Sequence, residues 1–233
     1  GTTGTLDNKK IHQLVLEGIF GPVHRVTTTK ALMDSGRLSN LNIKCIILKY
    51  SEEIRKERKN KTYQEEMDWL VANEKRNKFI RNLALASDGN TLVLFQYVEK
   101  HGKVLYELIK NKAHGDRKIF FVHGGTDVSD REAIRHITDK ENDAIIIASF
   151  GTFSTGINIP SIENVIFASP TKSKIRNLQS IGRGLRLKNG KTACKLFDIA
   201  DDLHWKSWKN HTLNHAAERY KTYAEEEFKV KIV

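Results

Sequence analysis

The spacing of apolar residues changes near Gly89. From there on they come in short unbroken runs: Thr91–Phe95, Ile119–Val122, Ala144–Ala148, Val165–Ala168 and a weaker fifth, Ala193–Phe197. A strand with one wet face alternates apolar and polar residues, whereas an unbroken run suits a strand covered on both faces, as in a parallel sheet. Between the runs, apolar residues recur at helical spacing over about 99–112, 127–140 and 173–187. Strand and helix patterns in alternation predict an open parallel α/β sheet with helices on both sides.

Upstream of Gly89 the pattern is less regular. Leu14 to Phe20 reads as a helix closed by Gly21-Pro22. Val23 to Thr29 is β-branched and reads as a strand, Lys30 to Ser35 as a short helix stopped at Gly36, and Ile43 to Tyr50 as a strand. Residues 51–64 are dense in charge and read as a solvated helix or connection. Met67, Leu70, Val71, Phe79, Ile80 and Leu83 fall at helical spacing within 65–87, which predicts one long amphipathic helix or a pair. The tail, 203–233, carries Trp205, Trp208, Tyr220, Tyr223 and Phe228 in a helical pattern. It is expected to pack on the core or to form a small helical appendage.

Charge narrows the partners. Lys and Arg number 39 against 28 Asp and Glu, a net charge of +11. A chain this basic points to an acidic partner, with nucleic acid the first expectation. Cys45 and Cys194 are the only cysteines and form no C-x-x-C pair, which argues against a structural zinc site and fits a reducing compartment. No apolar run approaches the about 20 residues of a membrane helix. Gly1 to Thr5 lacks the basic start and apolar middle of a signal peptide, and reads as an internal stretch of a longer chain.

In a parallel sheet, ligands gather beyond the C-terminal ends of the strands. The segments following the apolar runs there are His123-Gly124-Gly125-Thr126, Ser149 to Pro160, and Ser169-Pro170-Thr171. They are rich in Gly, Ser and Thr, which offer backbone N–H groups and hydroxyls to phosphate without reading sequence. Gln179, Arg183 and Arg186 are spaced four and then three residues apart, on one face of the helix expected at 173–187, which Gly182 and Gly184 interrupt. Guanidinium groups suit bidentate contact with phosphate. No G-x-x-x-x-G-K-S/T phosphate loop occurs in the chain, so it is not expected to hydrolyse ATP on its own. His204, His211 and His215 lack a matching acidic or cysteine partner and read as packed or solvated side chains. Trp205 and Trp208 read as packing residues, and Asp198 and Asp201 as caps or contacts following the fifth strand.

The stretch Gln179-Ser180-Ile181-Gly182-Arg183-Gly184-Leu185-Arg186 resembles helicase motif VI, Q-x-x-G-R-x-x-R. Ser149 to Pro160 resembles motif V, and Thr91 to Phe95 motif IV. Their order and spacing are similar to the second RecA-like domain of superfamily-two helicases. Thr3-Gly4-Thr5-Leu6 resembles motif III, and Phe20 to Val23 with Leu32 and Gly36 resembles the link between the two RecA-like domains. The resemblance implies four segments: the end of the first RecA-like domain with the connection (1–50), a helical lead-in (51–88), the second domain (89–202) and a helical extension (203–233).

It further implies a cytoplasmic ATP-driven motor on DNA, branched or single-stranded, engaged in fork regression, junction migration and unwinding of RNA–DNA hybrids. ATP and Mg²⁺ are then held mainly by a preceding RecA-like domain in cis. By this resemblance Arg186 is the arginine finger, Arg183 its partner at the γ-phosphate, and Gln179 orients their helix. Gly156 and Asn158 approach the nucleotide, although many relatives carry Asp where Asn158 stands. Ser149, Thr152, Gly124, Gly125 and Thr126 face the DNA backbone. The competing expectation, from charge alone, is a passive nucleic-acid-binding or strand-annealing module.

Overall fold

The structure, a computed structural model, describes residues 10–24, 26–156, 159, 161–171 and 193–233. The apolar runs form strands: β1 (Asn40–Lys49), β2 (Thr91–Phe95), β3 (Ile119–Val122), β4 (Ile145–Ser149), β5 (Asn164–Phe167) and β6 (Ala193–Asp202). With β7 (Lys229–Ile232) they build one seven-stranded sheet in the order β3-β4-β2-β5-β6-β1-β7. Every pairing is parallel. All residues of β2 and β5 are buried, as unbroken apolar runs require. The fold is RecA-like, a parallel sheet flanked by helices.

Side chains along each strand point to opposite faces in turn, and two cores result. One joins Leu92, Leu94, Val165, Phe167 and Leu196 to Phe150, Phe153 and Tyr223. The other joins Val93, Phe95, Ile166, Phe197 and Ile199 to Ile80, Ala84, Leu105 and Ile109. The first face is covered by α7 (Val128–Lys140), α8 (Phe150–Gly156) and α9 (His211–Glu225), the second by α5 (Glu74–Leu85) and α6 (Lys103–Lys110). Upstream lie α1 (Lys10–Phe20), α2 (Thr29–Asp34), α3 (Glu52–Arg58) and α4 (Tyr63–Ala72).

The amphipathic stretch 65–87 resolves into the pair α4 and α5, broken at Asn73. Its N–H still closes α4 by donating to the Leu70 carbonyl, while its side-chain oxygen accepts the Arg76 N–H and caps α5. One residue cannot be helical and also cap the next helix, so the chain turns there.

Four local expectations need correction. Of the strand expected at Val23 to Thr29, the described residues form none: Val26 is 94% exposed, Thr29 begins α2, and the described β-branched residues find no ladder to join. The chain beyond Ala148 is not a loop but runs straight into α8, because Ser149 caps that helix. The fifth strand continues to Asp202, so Asp198 and Asp201 lie inside it. The tail packs on the core through α9, as expected, but it also adds a strand, β7, which extends the sheet beside β1. Thus β1, from residues 1–50, and β7, from 203–233, belong to the same sheet as the central strands.

A carboxylate from another element caps the start of α9. Glu66 of α4 is 2% exposed and accepts from the backbone N–H groups of His211 and Thr212 (both 2.9 Å), from Thr212 Oγ1 (2.6 Å) and from Asn210 Nδ2 (2.8 Å). A buried carboxylate with four donors at a helix N-terminus gains from both hydrogen bonding and the helix dipole. Glu66→Ala leaves those donors without their acceptor and should lower unfolding free energy by on the order of 3 kcal/mol. Glu74→Ala, which removes an exposed i,i+4 pair with Lys78, should leave it near wild type. Equal losses in urea denaturation contradict this account of how α9 docks.

Candidate functional site

The exits of β3, β4, β2 and β5 are neighbours on one edge, because those strands are adjacent in the sheet. At β3, His123 begins a tight turn. Its N–H donates to Thr126 Oγ1 at 3.0 Å, the Thr126 N–H returns to the His123 carbonyl at 3.0 Å, and the Gly125 N–H donates to His123 Nδ1 at 3.1 Å. Arg131 of α7 holds the turn by donating to the Gly124 carbonyl at 3.0 Å. Gly124 and Gly125 are exposed, and a Cβ on Gly124 meets no atom within 4 Å. Its lack of a side chain leaves room for another surface to reach the backbone.

At β4, paired with β3 through Val122 and Ala148, Ser149 Oγ accepts the Thr152 N–H at 3.3 Å and lies 2.8 Å from Thr152 Oγ1. Thr152 is 7% exposed and Ser149 partly exposed. Of the two residues, Ser149 is the more exposed. Ser149 and the 124–126 turn thus share one end of the sheet. Gly156 ends α8. Asn158, Gln179, Arg183 and Arg186 lie outside the described residues, as does the Thr3–Leu6 segment.

The exit of β5, Ala168 to Thr171, precedes residues 172–192 and is gripped from both faces. Asp198 and Asp201 sit three residues apart on β6 and therefore point to opposite faces. Asp198 receives Arg219 of α9 in a bidentate pair, Nη2 to Oδ1 at 2.7 Å and Nε to Oδ2 at 2.9 Å, with Tyr223 OH donating at 2.8 Å. Asp201 receives Arg76 Nε at 2.9 Å and Tyr50 OH at 2.7 Å. Each arginine spends another N–H on the β5 exit: Arg76 Nη1 on the Ala168 carbonyl at 2.8 Å, Arg219 Nη1 on the Thr171 carbonyl at 3.0 Å. Burial disfavours the Arg219 charge, but the Asp198 carboxylate outweighs it and holds its pKa above the usual value. Burial, then the Asp201 charge, raises Tyr50 above the usual phenol range.

Between those carbonyls, Ser169 is fully buried and linked to two further elements. Its Oγ accepts the N–H of Gln96, just beyond β2, at 3.1 Å and lies 2.9 Å from His101 Nδ1. His101 Nε2 lies 3.2 Å from Asn77 Oδ1, and Asn77 Nδ2 donates to the Val71 carbonyl at 2.8 Å. The proton positions follow. With its amide N–H groups directed to Val71, Asn77 presents an oxygen, so His101 Nε2 carries the proton. Nδ1 is then an acceptor, and the Ser169 hydroxyl donates to it. Burial, and next the nearby Arg76 charge, push the His101 pKa down to about 3, which keeps the ring neutral.

These groups carry no motif signal. Asp201 and Arg76 are 125 residues apart in sequence, and Asn77 and His101 sit in patterns that read only as amphipathic helix. A visible cue was an aspartate within reach of an apolar strand, twice. Among the tail aromatics and histidines, Tyr223 is buried in the core, and His204 lies against the Asp202 carboxylate, a partner that was not expected. Trp205 lies under Lys56 and Arg55, and the His211 and His215 rings pack on Tyr63. Among the described residues no three His, Cys, Asp or Glu side chains group as metal ligands, and no helix is long and apolar enough to cross a membrane.

Comparison with known proteins bears on the family and the fold. Residues 74–188 match the family model of the helicase conserved C-terminal domain. The ATP-dependent DNA helicase uvsW of Enterobacteria phage T4 is 35% identical over 241 residues, covering 98% of this chain and 47% of that protein. The crystal structure of T4 UvsW superposes with a TM-score of 0.73 at 34% identity, over 96% of this chain and 45% of that one. A fragment of a putative HsdR subunit of a type I restriction enzyme from Vibrio vulnificus YJ016 shares the fold, with a TM-score of 0.66 at 17% identity over 98% of this chain and 43% of that one. The chain therefore spans about half the length of the helicase it matches end to end.

A neutral buried imidazole makes stability depend on pH. In the unfolded chain His101 takes up a proton below about pH 6.5, whereas in the fold it stays neutral down to about 3. Its contribution is complete above pH 6.5 and is lost as pH falls toward 3. The charged groups around it are Arg76 of α5 and, paired with that, Asp201 of β6. Between pH 7 and pH 4 the urea midpoint should fall more steeply in the unaltered protein than in His101→Asn. Identical slopes contradict the neutral assignment.

Proposed function

The chain belongs to the superfamily-two helicases as their second RecA-like domain, and from that premise we propose that it is the arginine-supplying half of an ATP-driven DNA motor. The observation that carries the reading is the position of Gln179-Ser180-Ile181-Gly182-Arg183-Gly184-Leu185-Arg186. In sequence this stretch falls between β5 and β6, within the matched helicase domain, and the structure clamps the exit of β5 to residues of α5 and α9 paired with β6. Two guanidinium groups with no carboxylate among these eight residues are a donor set that fits a triphosphate.

The division of labour follows from what the sequence holds and lacks. With no phosphate loop in the chain, the nucleotide and its Mg²⁺ are held mainly by the first RecA-like domain of the complete protein. ATP supplies the free energy when bound. Arg186 and Arg183 stabilise charge on the transferred phosphoryl group, Gln179 orients their helix, and Gly156 and Asn158 line the nucleotide side. Across β4 and β3, Ser149 and the Gly124-Gly125-Thr126 turn bind the phosphate backbone of DNA, with Thr152 holding Ser149 in place. Such contacts position a strand without reading its bases, which suits a translocating motor. DNA is the substrate we assign, by likeness to a phage DNA helicase, and branched DNA is the form that the motif resemblance implies.

In the complete protein, Arg186→Ala should cut DNA-stimulated ATP turnover by about 10³–10⁵-fold, the usual worth of an arginine finger. Turnover near wild type removes the finger assignment. DNA affinity should fall steeply as salt is raised, because backbone contacts release counterions. A Ser149→Ala/Thr126→Ala double variant should bind more weakly at every salt concentration. Unchanged binding in that variant places the DNA track elsewhere.

A further inference from the structure

We propose that His101 is a positioning residue: through Ser169 it sets the direction in which the chain leaves β5 toward Gln179, Arg183 and Arg186. This rests on the reading of the chain as the arginine-supplying half of a motor, but it concerns a side chain that the reading does not use.

The geometry singles His101 out. It stands on a π-type turn, Val98–Gly102, closed by the Gly102 N–H donating to the Tyr97 carbonyl at 2.9 Å. Such turns put one extra residue into a helix and re-aim a side chain. This one is held tightly against β2, since a Cβ on Gly102 would come within 2.6 Å of the Phe95 ring. The turn therefore cannot drift, and His101 is delivered to a fixed point between α5 and the β5 exit.

Its hydrogen bonds run in one direction. Gln96 N–H donates to Ser169 Oγ, Ser169 O–H to His101 Nδ1, His101 Nε2–H to Asn77 Oδ1, and Asn77 Nδ2–H to the Val71 carbonyl. No donor faces a donor. The chain joins the exit of β2, which carries the motif IV segment, and the exit of β5, which precedes the motif VI segment in sequence, to the α4–α5 corner. Arg76 and Arg219 fix the carbonyls of Ala168 and Thr171. Between those carbonyls the buried Ser169 hydroxyl reaches back into the core, and His101 is its acceptor. Loss of that bond frees one rotation at the point from which the arginine-bearing segment departs, and a displacement of about 1 Å at reacting groups costs about 10²-fold in rate.

A purely structural role predicts something different. Asn at 101 places an amide oxygen where Nδ1 stands and keeps the Ser169 bond. Gln at 101 reaches the Nε2 position and keeps only the Asn77 bond. Both variants remove an aromatic ring from the same buried site, so both should lose comparable stability. In the complete protein, His101→Gln should lower kcat for DNA-stimulated ATP hydrolysis about 10²-fold with KM for ATP little changed, while His101→Asn keeps kcat within about threefold. Ser169→Ala, which spares the ring, should reproduce the Gln result and guards against misfolding of either histidine variant. Equal kcat in the Asn and Gln variants, or a Ser169→Ala enzyme at wild-type kcat, overturns the positioning role while leaving the motor reading intact. Absence of DNA-stimulated turnover in the unaltered complete protein overturns both.

Discussion

Asp198 and Asp201 put two negative charges at fully buried positions inside a strand, and the architecture around the β5 exit is the answer to that cost. An ion removed from water is several kcal/mol worse off unless it is paired and fully hydrogen-bonded. Each carboxylate here has an arginine and a tyrosine hydroxyl. Because the two residues project from opposite faces of β6, satisfying both brings α9 to one side of the sheet and α5 to the other. Removing one partner strands a buried charge, an effect of about 3–5 kcal/mol. Replacing a whole pair by apolar groups of the same shape is often nearly neutral. The pairs therefore act more as directional locks than as a source of net stability.

What they lock is the segment Ala168 to Thr171. The same guanidinium groups that neutralise β6 also donate to carbonyls on either side of Ser169, and the His101 relay holds the residue between. A short stretch of backbone thus receives contacts from α5, α9, the π-type turn and the β2 exit. By contrast, the β3 and β4 exits are held mainly by their own residues and by the adjoining helices. The difference suits their proposed tasks. Groups that contact a moving phosphate backbone tolerate latitude, whereas arginines that meet one phosphoryl group do not.

Much of this was legible in the sequence. Unbroken apolar runs at 91–95, 144–148 and 165–168 announced buried parallel strands, because covering both faces removes the need for alternation. The exits of those strands stood out by their Gly, Ser and Thr. The failures share one cause, which is that local pattern cannot report a distant partner. The stretch from Val23 to Thr29 has strand-forming residues, but its described residues join no ladder. Ser149 reads as a loop residue until its hydroxyl is seen to cap α8. β7 follows α9 with too few residues to show a period, and its place is given by β1 alone. Arg76, Asn77 and His101 look like ordinary amphipathic-helix residues until folding brings Asp201 and Ser169 to them.

The account turns on where the guanidinium groups of Arg183 and Arg186 lie once the β5 exit is fixed. The most direct measurement is an experimental structure of the complete protein with a non-hydrolysable ATP analogue and DNA. The account predicts the Arg186 guanidinium at hydrogen-bond distance, about 2.7–2.9 Å, from the oxygens of the γ-phosphate group, with Arg183 beside it. Arginines that turn away from the nucleotide, or that pair with carboxylates of their own domain, would contradict it.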